Sequence, residues 1–212
     1  TREEHLNFIK ELSSKDVVAF DTETTSLNSL EAEVVGVSFS VKKDEGFYIP
    51  ISHVEQTELN ASEVIEWLKR LLEINQNKII GQNLKYDIAV LRNHDIYIKD
   101  FFADTMLMSY AANSTSSRHN LDALAEHYLN TSTIKYADVV GKGAKKYKNF
   151  SEVPIKEATN YAAEDADITL QLFEKLSEII DKSSNNILKT IDYPLLFVLL
   201  EMEQKGALID TS

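Results

Sequence analysis

The sequence contains no cysteine among its 212 residues. The chain can therefore form neither disulfides nor thiolate metal sites, and it has no cysteine nucleophile. Carboxylates and imidazoles are the metal ligands that remain. Oxygen ligands favour magnesium or manganese over softer metals.

The sequence also lacks a signal-peptide pattern at Thr1 and an apolar run long enough to span a bilayer. We therefore expect no membrane association and a cytoplasmic location. Basic residues are fewer than acidic ones. The chain has 22 Lys and Arg and 34 Asp and Glu, which gives a formal net charge of -12. This balance argues against a protein that coats nucleic acid through bulk positive potential, although it permits a local contact surface.

Two carboxylates follow a short apolar run that has the composition of a buried strand. Val17 to Phe20 lead into Asp21 and Glu23, which are separated by one residue. Alternate residues of a strand share a face, so both acids would stand together where an uncompensated charge is expensive. A divalent cation would offset that cost. Taken alone, the pair also fits an acidic strand end in a protein rich in acids.

Two further pairs have helical spacing. Asn83 and Asp87 are four residues apart, as are Tyr161 and Asp165, so each pair would share a helix face. Asp165 continues an apolar stripe and is expected to be buried. Asp167 lies about 200° around the helix from Asp165 and is expected to be solvated.

The hydrophobic pattern predicts an α/β chain with a mixed sheet flanked by helices. Three antiparallel strands are predicted at Val17–Asp21, Val34–Val41 and Gly46–Ile49, and a return strand at Lys78–Gly81. Residues Gly141–Lys148 are predicted to form a basic loop. The predicted helices are Thr1–Leu12, Ala61–Ile74, Leu84–Asn93, Asp104–Ala112, Leu121–Leu129, Pro154–Ile180 and Asn185–Gln204.

Three segments, taken together and in order, resemble the exonuclease motifs of the proofreading domain in family A DNA polymerases. They are Phe20–Thr24, Gly81–Asp87 and Tyr161–Asp167. The resemblance implies an RNase H-like fold with a mixed five-stranded sheet and an active site of the DEDD type. Asn160 stands where histidine-subclass relatives carry histidine, which favours the tyrosine subclass. Residues 1–183 would form the exonuclease domain, and 184–212 would begin a truncated polymerase domain.

The resemblance also implies a mechanism and a set of site residues. Asp21 would bridge two divalent cations, Mg²⁺ or Mn²⁺, with Glu23 and Asp165 completing one site and Asp87 holding the other. Tyr161 would orient the attacking water, since a phenol with an ordinary pKa near 10 is a poor base at neutral pH. The expected substrate contacts are Thr24, Leu27, Gln82, Asn83, Tyr86, Arg118 and Tyr136.

The expected activity is removal of nucleoside 5′-monophosphates from DNA 3′ ends. The expected partners are a single-stranded DNA 3′ end and the polymerase domain of the same parent chain, and the chain is expected to be a monomer. The five histidines show no ligand spacing and are expected to be structural or surface residues. Two alternatives stay open: an exoribonuclease resembling ribonuclease D, and a non-catalytic module that binds single strands or braces a polymerase.

Overall fold

A computed structural model of the chain describes residues 15–115, 118–141 and 147–209. The predicted helix Thr1–Leu12 and most of the predicted basic loop lie outside these residues. In the described part, no helix is long and apolar enough to cross a membrane.

In the part of the chain that the structure describes, five strands form one mixed sheet, as the resemblance implied. The sheet order is β3-β2-β1-β4-β5, with β1 antiparallel to β2 and parallel to β4. Strand β1 is therefore central, with hydrogen-bonded neighbours on both sides. The strands are β1 Val18–Thr24, β2 Val34–Lys42, β3 Glu45–Pro50, β4 Ile79–Gly81 and β5 Ala103–Asp104.

Helices flank the sheet on both faces. The helices are α1 Ala61–Asn75, α2 Leu84–Arg92, α3 Thr105–Ala112, α4 Leu121–Leu124, α5 Tyr136–Val139, α6 Ile155–Ile179, α7 Lys182–Ile187 and α8 Tyr193–Lys205. Side chains of β1 alternate between two hydrophobic cores. Phe20 joins the core that contains residues of α1, α2 and α8, whereas Ala19 joins the core that contains residues of α6.

Within the described residues, the predicted helices and strands are confirmed with shifted ends. Strand β1 continues past Asp21 to Thr24, because Glu23 and Thr24 still pair with β2. Strand β5 has two residues, too few to leave a hydrophobic pattern. The last predicted helix starts earlier, at Lys182, where the Asp181 carboxylate accepts from two backbone N–H groups, and π-helical residues 188–192 separate α7 from α8.

Helix α6 lies close against the β2–β3 hairpin. A Cβ added to Gly46 would stand 2.2 Å from the carbonyl oxygen of Ala163, so only glycine allows this approach. Asp167 accepts a 2.9 Å hydrogen bond from the backbone N–H of Asp44 at the tip of the hairpin. The expectation that Asp167 is solvated holds only in part, because the residue is half-buried where the hairpin lies over that side of the helix.

Asp104 connects the first turns of two helices. Its fully buried carboxylate accepts from the N–H of Leu84 at 2.7 Å, at the start of α2. It also accepts from Met106 and Leu107 at 2.9 and 3.1 Å, at the start of α3. One acid thus satisfies orphan donors of both helices and holds α2 at the sheet edge.

Candidate active site

The paired acids of β1 point to the face of the sheet covered by α6. In the β1–β2 register Asp21 lies opposite Ser38, and Glu23 lies opposite Gly36. Because side chains alternate along a strand, Asp21 and Glu23 share this face with Ala19. Glu23 is only 6% exposed, so its charge lies inside the protein.

Helix α6 brings a third acid to the pair. One carboxylate oxygen each of Asp21, Glu23 and Asp165 lies within 4.8 Å of the other two. Fully buried Ala162 and Ala166 flank Asp165, and such small side chains let the helix approach the sheet closely. The structure therefore brings together residues that are about 140 positions apart in the sequence.

Burial and mutual repulsion both disfavour ionisation of these acids. Burial raises the pKa of Asp21 to about 7, even though its backbone hydrogen bond acts in the opposite direction. Burial also raises the pKa of Glu23 well above its usual range, and the charges of Asp21 and Asp165 raise it further. The pKa of Asp165 is raised for the same two reasons, burial first and then the charge of Asp21.

Asp87 reaches the end of β1 from the opposite side of the sheet. One carboxylate oxygen accepts from the Thr22 backbone N–H at 3.1 Å and from the Thr22 hydroxyl at 2.6 Å. Burial raises the pKa of Asp87, and the charge of Asp21 raises it further. Among the described residues, Asp87 stands outside the close group of three. Its predicted role as a metal ligand stays a prediction.

Tyr161 lies one helical turn before Asp165, as its spacing predicted. Burial raises its pKa above the ordinary value, and the charge of Asp165 raises it further. The phenol is therefore protonated at neutral pH and acts as a hydrogen-bond donor. Its ring lies 5.8 Å from that of Phe150 and 6.2 Å from that of Tyr136, measured between centroids.

Some predicted substrate residues are exposed and some are engaged within the protein. Leu27 is 97% exposed, Tyr136 is 49% exposed, and Arg118 is also exposed. By contrast, the hydroxyl groups of Thr24 and Tyr86 lie 2.5 Å apart, and both lie within hydrogen-bond distance of the Ser26 carbonyl oxygen, so their two hydrogens are shared within one short network. That network anchors the turn that leads to Leu27.

Gln82 and Asn83 lie between β4 and α2. The Gln82 amide donates to the His119 carbonyl at 2.8 Å and accepts from the Thr105 hydroxyl at 2.5 Å. Asn83 adopts a left-handed backbone, with φ of 65°, and its side chain makes no capping hydrogen bond. Asparagine tolerates this conformation better than most residues. Their contacts with a substrate stay predictions.

Two residues beside this site, Tyr48 and His53, were not predicted from the sequence. The Tyr48 hydroxyl lies 2.7 Å from Nε2 of His53, and a Cβ at Gly36 would stand 2.1 Å from the same hydroxyl oxygen. Gly36 is the cross-strand neighbour of Glu23. A glycine in the interior of a strand is the one sequence signal for such a close approach.

The raised pKa values predict how the metal-free protein responds to pH. In the unfolded chain these acids titrate near pH 4, whereas Asp21 titrates near 7 when folded. Between these values the folded state binds more protons, so the free energy of unfolding falls as pH rises. Replacing Asp21 with asparagine removes one repelling charge. We expect Asp21→Asn to melt higher than the wild type at pH 8 in EDTA, with a smaller difference at pH 5.

Thermal melts of both chains at the two pH values measure this effect. Glu174→Ala, an exposed acid on the same helix as Asp165, is the matched control and should melt like the wild type at both. An Asp21→Asn chain that melts below the wild type at pH 8 contradicts the electrostatic account.

Comparison with known proteins assigns the family. A family model described as 3′-5′ exonuclease matches residues 1–181. DNA polymerase I of Pseudomonas aeruginosa is 42% identical over 212 residues, which cover 97% of this chain and 23% of that protein. DNA polymerase I of Borreliella burgdorferi is 36% identical over 205 residues, covering 96% of this chain and 22% of that protein. The chain thus spans less than a quarter of the length of these relatives.

Two solved structures are similar in fold to this chain. The POL domain of Pol1 from M. smegmatis matches with a TM-score of 0.71 at 17% identity, covering 96% of this chain and 31% of that one. Brucella melitensis NrnC matches with a TM-score of 0.65 at 18% identity, covering 91% and 87%. These likenesses show the fold, which is the expected RNase H-like α/β fold. On the family model and the two polymerase relatives, this chain belongs to the 3′-5′ exonuclease domain family of DNA polymerase I.

Proposed function

We propose that the chain hydrolyses the terminal phosphodiester at a DNA 3′ end and releases nucleoside 5′-monophosphates. The observation that carries this proposal is the convergence of Asp21, Glu23 and Asp165 within 4.8 Å, with Tyr161 one turn away on the same helix. The parent protein would be a cytoplasmic DNA polymerase I in which this activity removes misincorporated nucleotides.

The donor set fits divalent cations. One carboxylate oxygen of Glu23 is buried without a hydrogen-bond partner in the described part of the chain. An uncompensated buried acceptor of this kind is costly, and a cation would satisfy it. All candidate donors are carboxylate oxygens, which Mg²⁺ and Mn²⁺ prefer. Asp21, Glu23 and Asp165 would hold one ion, and Asp87 together with Asp21 would hold a second.

Two bound divalent cations would lower the pKa of the attacking water and stabilise both the attacking and the departing oxygen. The protein itself would hold the metal-binding acids in position. The antiparallel pairing of β1 with β2 fixes Asp21 and Glu23 on one rigid strand, and Asp87 is fixed by its two hydrogen bonds from Thr22. Such rigid placement keeps the reacting groups aligned.

Tyr161 would orient the attacking water by hydrogen bonding. Because burial and the charge of Asp165 raise its pKa, the phenol keeps its proton and does not serve as a general base. Its proximity to Asp165 on one helix face supports this assignment. The hydroxyl would therefore help to aim the nucleophile at the phosphorus.

Exposed side chains at the rim would receive the DNA strand. Leu27 would wedge beside the terminal base, and Tyr136, whose ring neighbours Tyr161, would stack on a base. Arg118 would bind a phosphate. Thr24, Gln82, Asn83 and Tyr86 would contact the terminal nucleotides after exchanging some of their present hydrogen bonds.

Digestion of a 5′-labelled single-stranded DNA with Mg²⁺ or Mn²⁺ tests the activity. We expect a ladder that shortens from the 3′ end, because hydrolysis removes one nucleotide at a time. The Asp21→Ala chain should lose at least about 100-fold in rate, since a group that aligns or stabilises the reacting atoms is removed. Glu174→Ala is the control and should digest like the wild type.

Two outcomes of this assay favour the alternatives. Preferential digestion of an RNA of the same sequence would favour an exoribonuclease. Binding of the DNA in Mn²⁺ without any cleavage would favour a non-catalytic module.

A second variant separates the role of Tyr161 from metal binding. Tyr161→Phe removes the hydroxyl but leaves all four acids, so we expect a rate reduced by about 100-fold. The rise in melting temperature caused by Mn²⁺ should be unchanged, because a ligand stabilises the fold through its binding sites alone. Tyr97→Phe, on a half-exposed tyrosine, serves as the control for both measurements. Loss of the Mn²⁺ effect in Tyr161→Phe contradicts the assigned role.

We further propose that residues 184–212 begin the polymerase domain of the parent chain. Helix α8 has two different faces. Leu196 and Leu200 are buried in the core that contains Phe20, and Arg92 of α2 contacts Glu201 at 2.6 Å and Gln204 at 2.5 Å. The opposite face exposes Leu195, Val198, Leu199 and Met202. The polymerase domain of the parent chain would cover these side chains.

Backbone hydrogen exchange of α8 tests this domain arrangement. We expect slower exchange at residues 195–202 in the full-length parent protein than in this chain, because burial of the exposed face suppresses local opening. Residues of β1, which are central in both forms, are the internal control. Equal exchange of α8 in both forms contradicts the assignment.

A further inference from the structure

Thr22 stands between the two acids of β1 but points to the other face of the sheet. Asp21 and Glu23 share the face covered by α6, and strand alternation turns the Thr22 side chain to the opposite face. Thr22 is 7% exposed, so its hydroxyl needs a hydrogen-bond partner inside the protein. That partner is Asp87, whose carboxylate accepts from the hydroxyl at 2.6 Å. One strand therefore carries two acids of one proposed cation site and contacts the proposed ligand of the other.

Both hydrogen bonds from Thr22 end on the same oxygen of Asp87. The hydroxyl donates to Oδ1 at 2.6 Å, and the backbone N–H donates to the same atom at 3.1 Å. The pairing of β1 with β4 ends at Ala19 and Ile80, so this N–H lies beyond the end of the shared hydrogen-bond ladder. Oδ2 of Asp87 takes part in neither bond. The two donors therefore fix the rotation of the carboxylate and leave its second oxygen unused by the strand.

The backbone of Asp87 is held by other contacts. Asp87 lies in the first turn of α2, where the Asp104 carboxylate accepts from the Leu84 N–H at 2.7 Å. Loss of the Thr22 hydroxyl would therefore leave the helix in place and free only the side chain of Asp87. Burial and then the charge of Asp21 raise the pKa of Asp87, so the two carboxylates repel each other when both are ionised. Without the hydroxyl, this repulsion favours rotation of the Asp87 carboxylate away from Asp21.

We infer that Thr22 is a positioning residue, whose hydroxyl holds the Asp87 carboxylate through Oδ1 and so keeps Oδ2 available to the second divalent cation. This inference rests on the proposed function, since it assigns Asp87 to the second cation site. Thr22 acts only through Asp87 and touches no cation. Loss of a hydrogen-bond partner of a metal-binding side chain typically lowers metal affinity by about 10- to 100-fold.

A purely structural role for the hydroxyl makes a different prediction. If the hydroxyl only stabilises the fold, Thr22→Val lowers the melting temperature in EDTA through the loss of one buried hydrogen bond and leaves Mn²⁺ affinity unchanged. If the hydroxyl orients Asp87, Mn²⁺ affinity falls. That fall then depends on the presence of the Asp87 carboxylate.

The experiment is Mn²⁺ titration of four chains: wild type, Thr22→Val, Asp87→Asn and the double variant. Electron paramagnetic resonance of the free ion measures how many ions each chain binds and how tightly. We expect the wild type to bind two ions and Thr22→Val to bind one of them about tenfold more weakly. Asp87→Asn should weaken the same ion. Adding Thr22→Val to Asp87→Asn should cause no further loss, because the ligand on which the hydroxyl acts is already gone.

Two further variants serve as controls. Thr22→Ser keeps the hydroxyl and should bind both ions with affinities within about twofold of the wild type. Thr133→Val removes a hydroxyl that is similarly buried and that donates to the Asp122 carboxylate at 2.5 Å, outside the proposed metal site. It should bind Mn²⁺ like the wild type. Melts in EDTA verify that every variant is folded, and Thr22→Ala replaces Thr22→Val if that chain fails to fold.

The outcomes separate this inference from the proposed function. Unchanged Mn²⁺ affinity in Thr22→Val overturns the inference, and so does an equal further loss in the Asp87→Asn background. Mn²⁺ binding that is insensitive to Asp87→Asn also overturns it, because Asp87 is then not a ligand. A wild-type chain that binds no Mn²⁺ overturns the proposed function itself.

Discussion

Repulsion among carboxylates inside the protein is the constraint on which the rest of this structure depends. Glu23, Asp87 and Asp165 are each less than a tenth exposed, and Asp21 stands between them. Burial raises every one of their pKa values. A chain selected only for stability would replace such acids with apolar or amide side chains. Their presence indicates that the fold accepts a cost in stability in exchange for a group of acids with the donor atoms that a divalent cation needs.

The scaffold supplies the rigidity needed to hold these acids together. Strand β1 is paired on both sides, so its acids cannot separate without breaking the sheet. Helix α6 is held against the hairpin by the close contact at Gly46 and by the hydrogen bond from Asp44 to Asp167. Asp104 fixes the first turns of α2 and α3. Each contact lies outside the acidic group, and together they oppose its electrostatic expansion.

The acidic group and its surroundings differed in how well they could be predicted. Sequence spacing was sufficient to place Tyr161 and Asp165 on one helix face. The family motifs were sufficient to predict that Asp21 and Glu23 lie beside them. Spacing alone did not show that Asp167 is half-buried, because helical geometry gives the direction of a side chain but not what covers it. It also could not show the partner of Tyr48, since His53 lies past the end of its strand and reaches the hydroxyl only through the turn that follows.

The sequence by itself determined the fold class, the positions of most helices and strands, and the identity of the acidic residues, because hydrophobic periodicity and local motifs are properties of neighbouring residues. Only the tertiary structure decided that Asp21, Glu23 and Asp165 meet within 4.8 Å while Asp87 approaches through Thr22 from the other side of the sheet. It alone also decided that the Tyr48 hydroxyl lies 2.7 Å from Nε2 of His53. These relations depend on strand register and helix packing between distant segments, which no local pattern records.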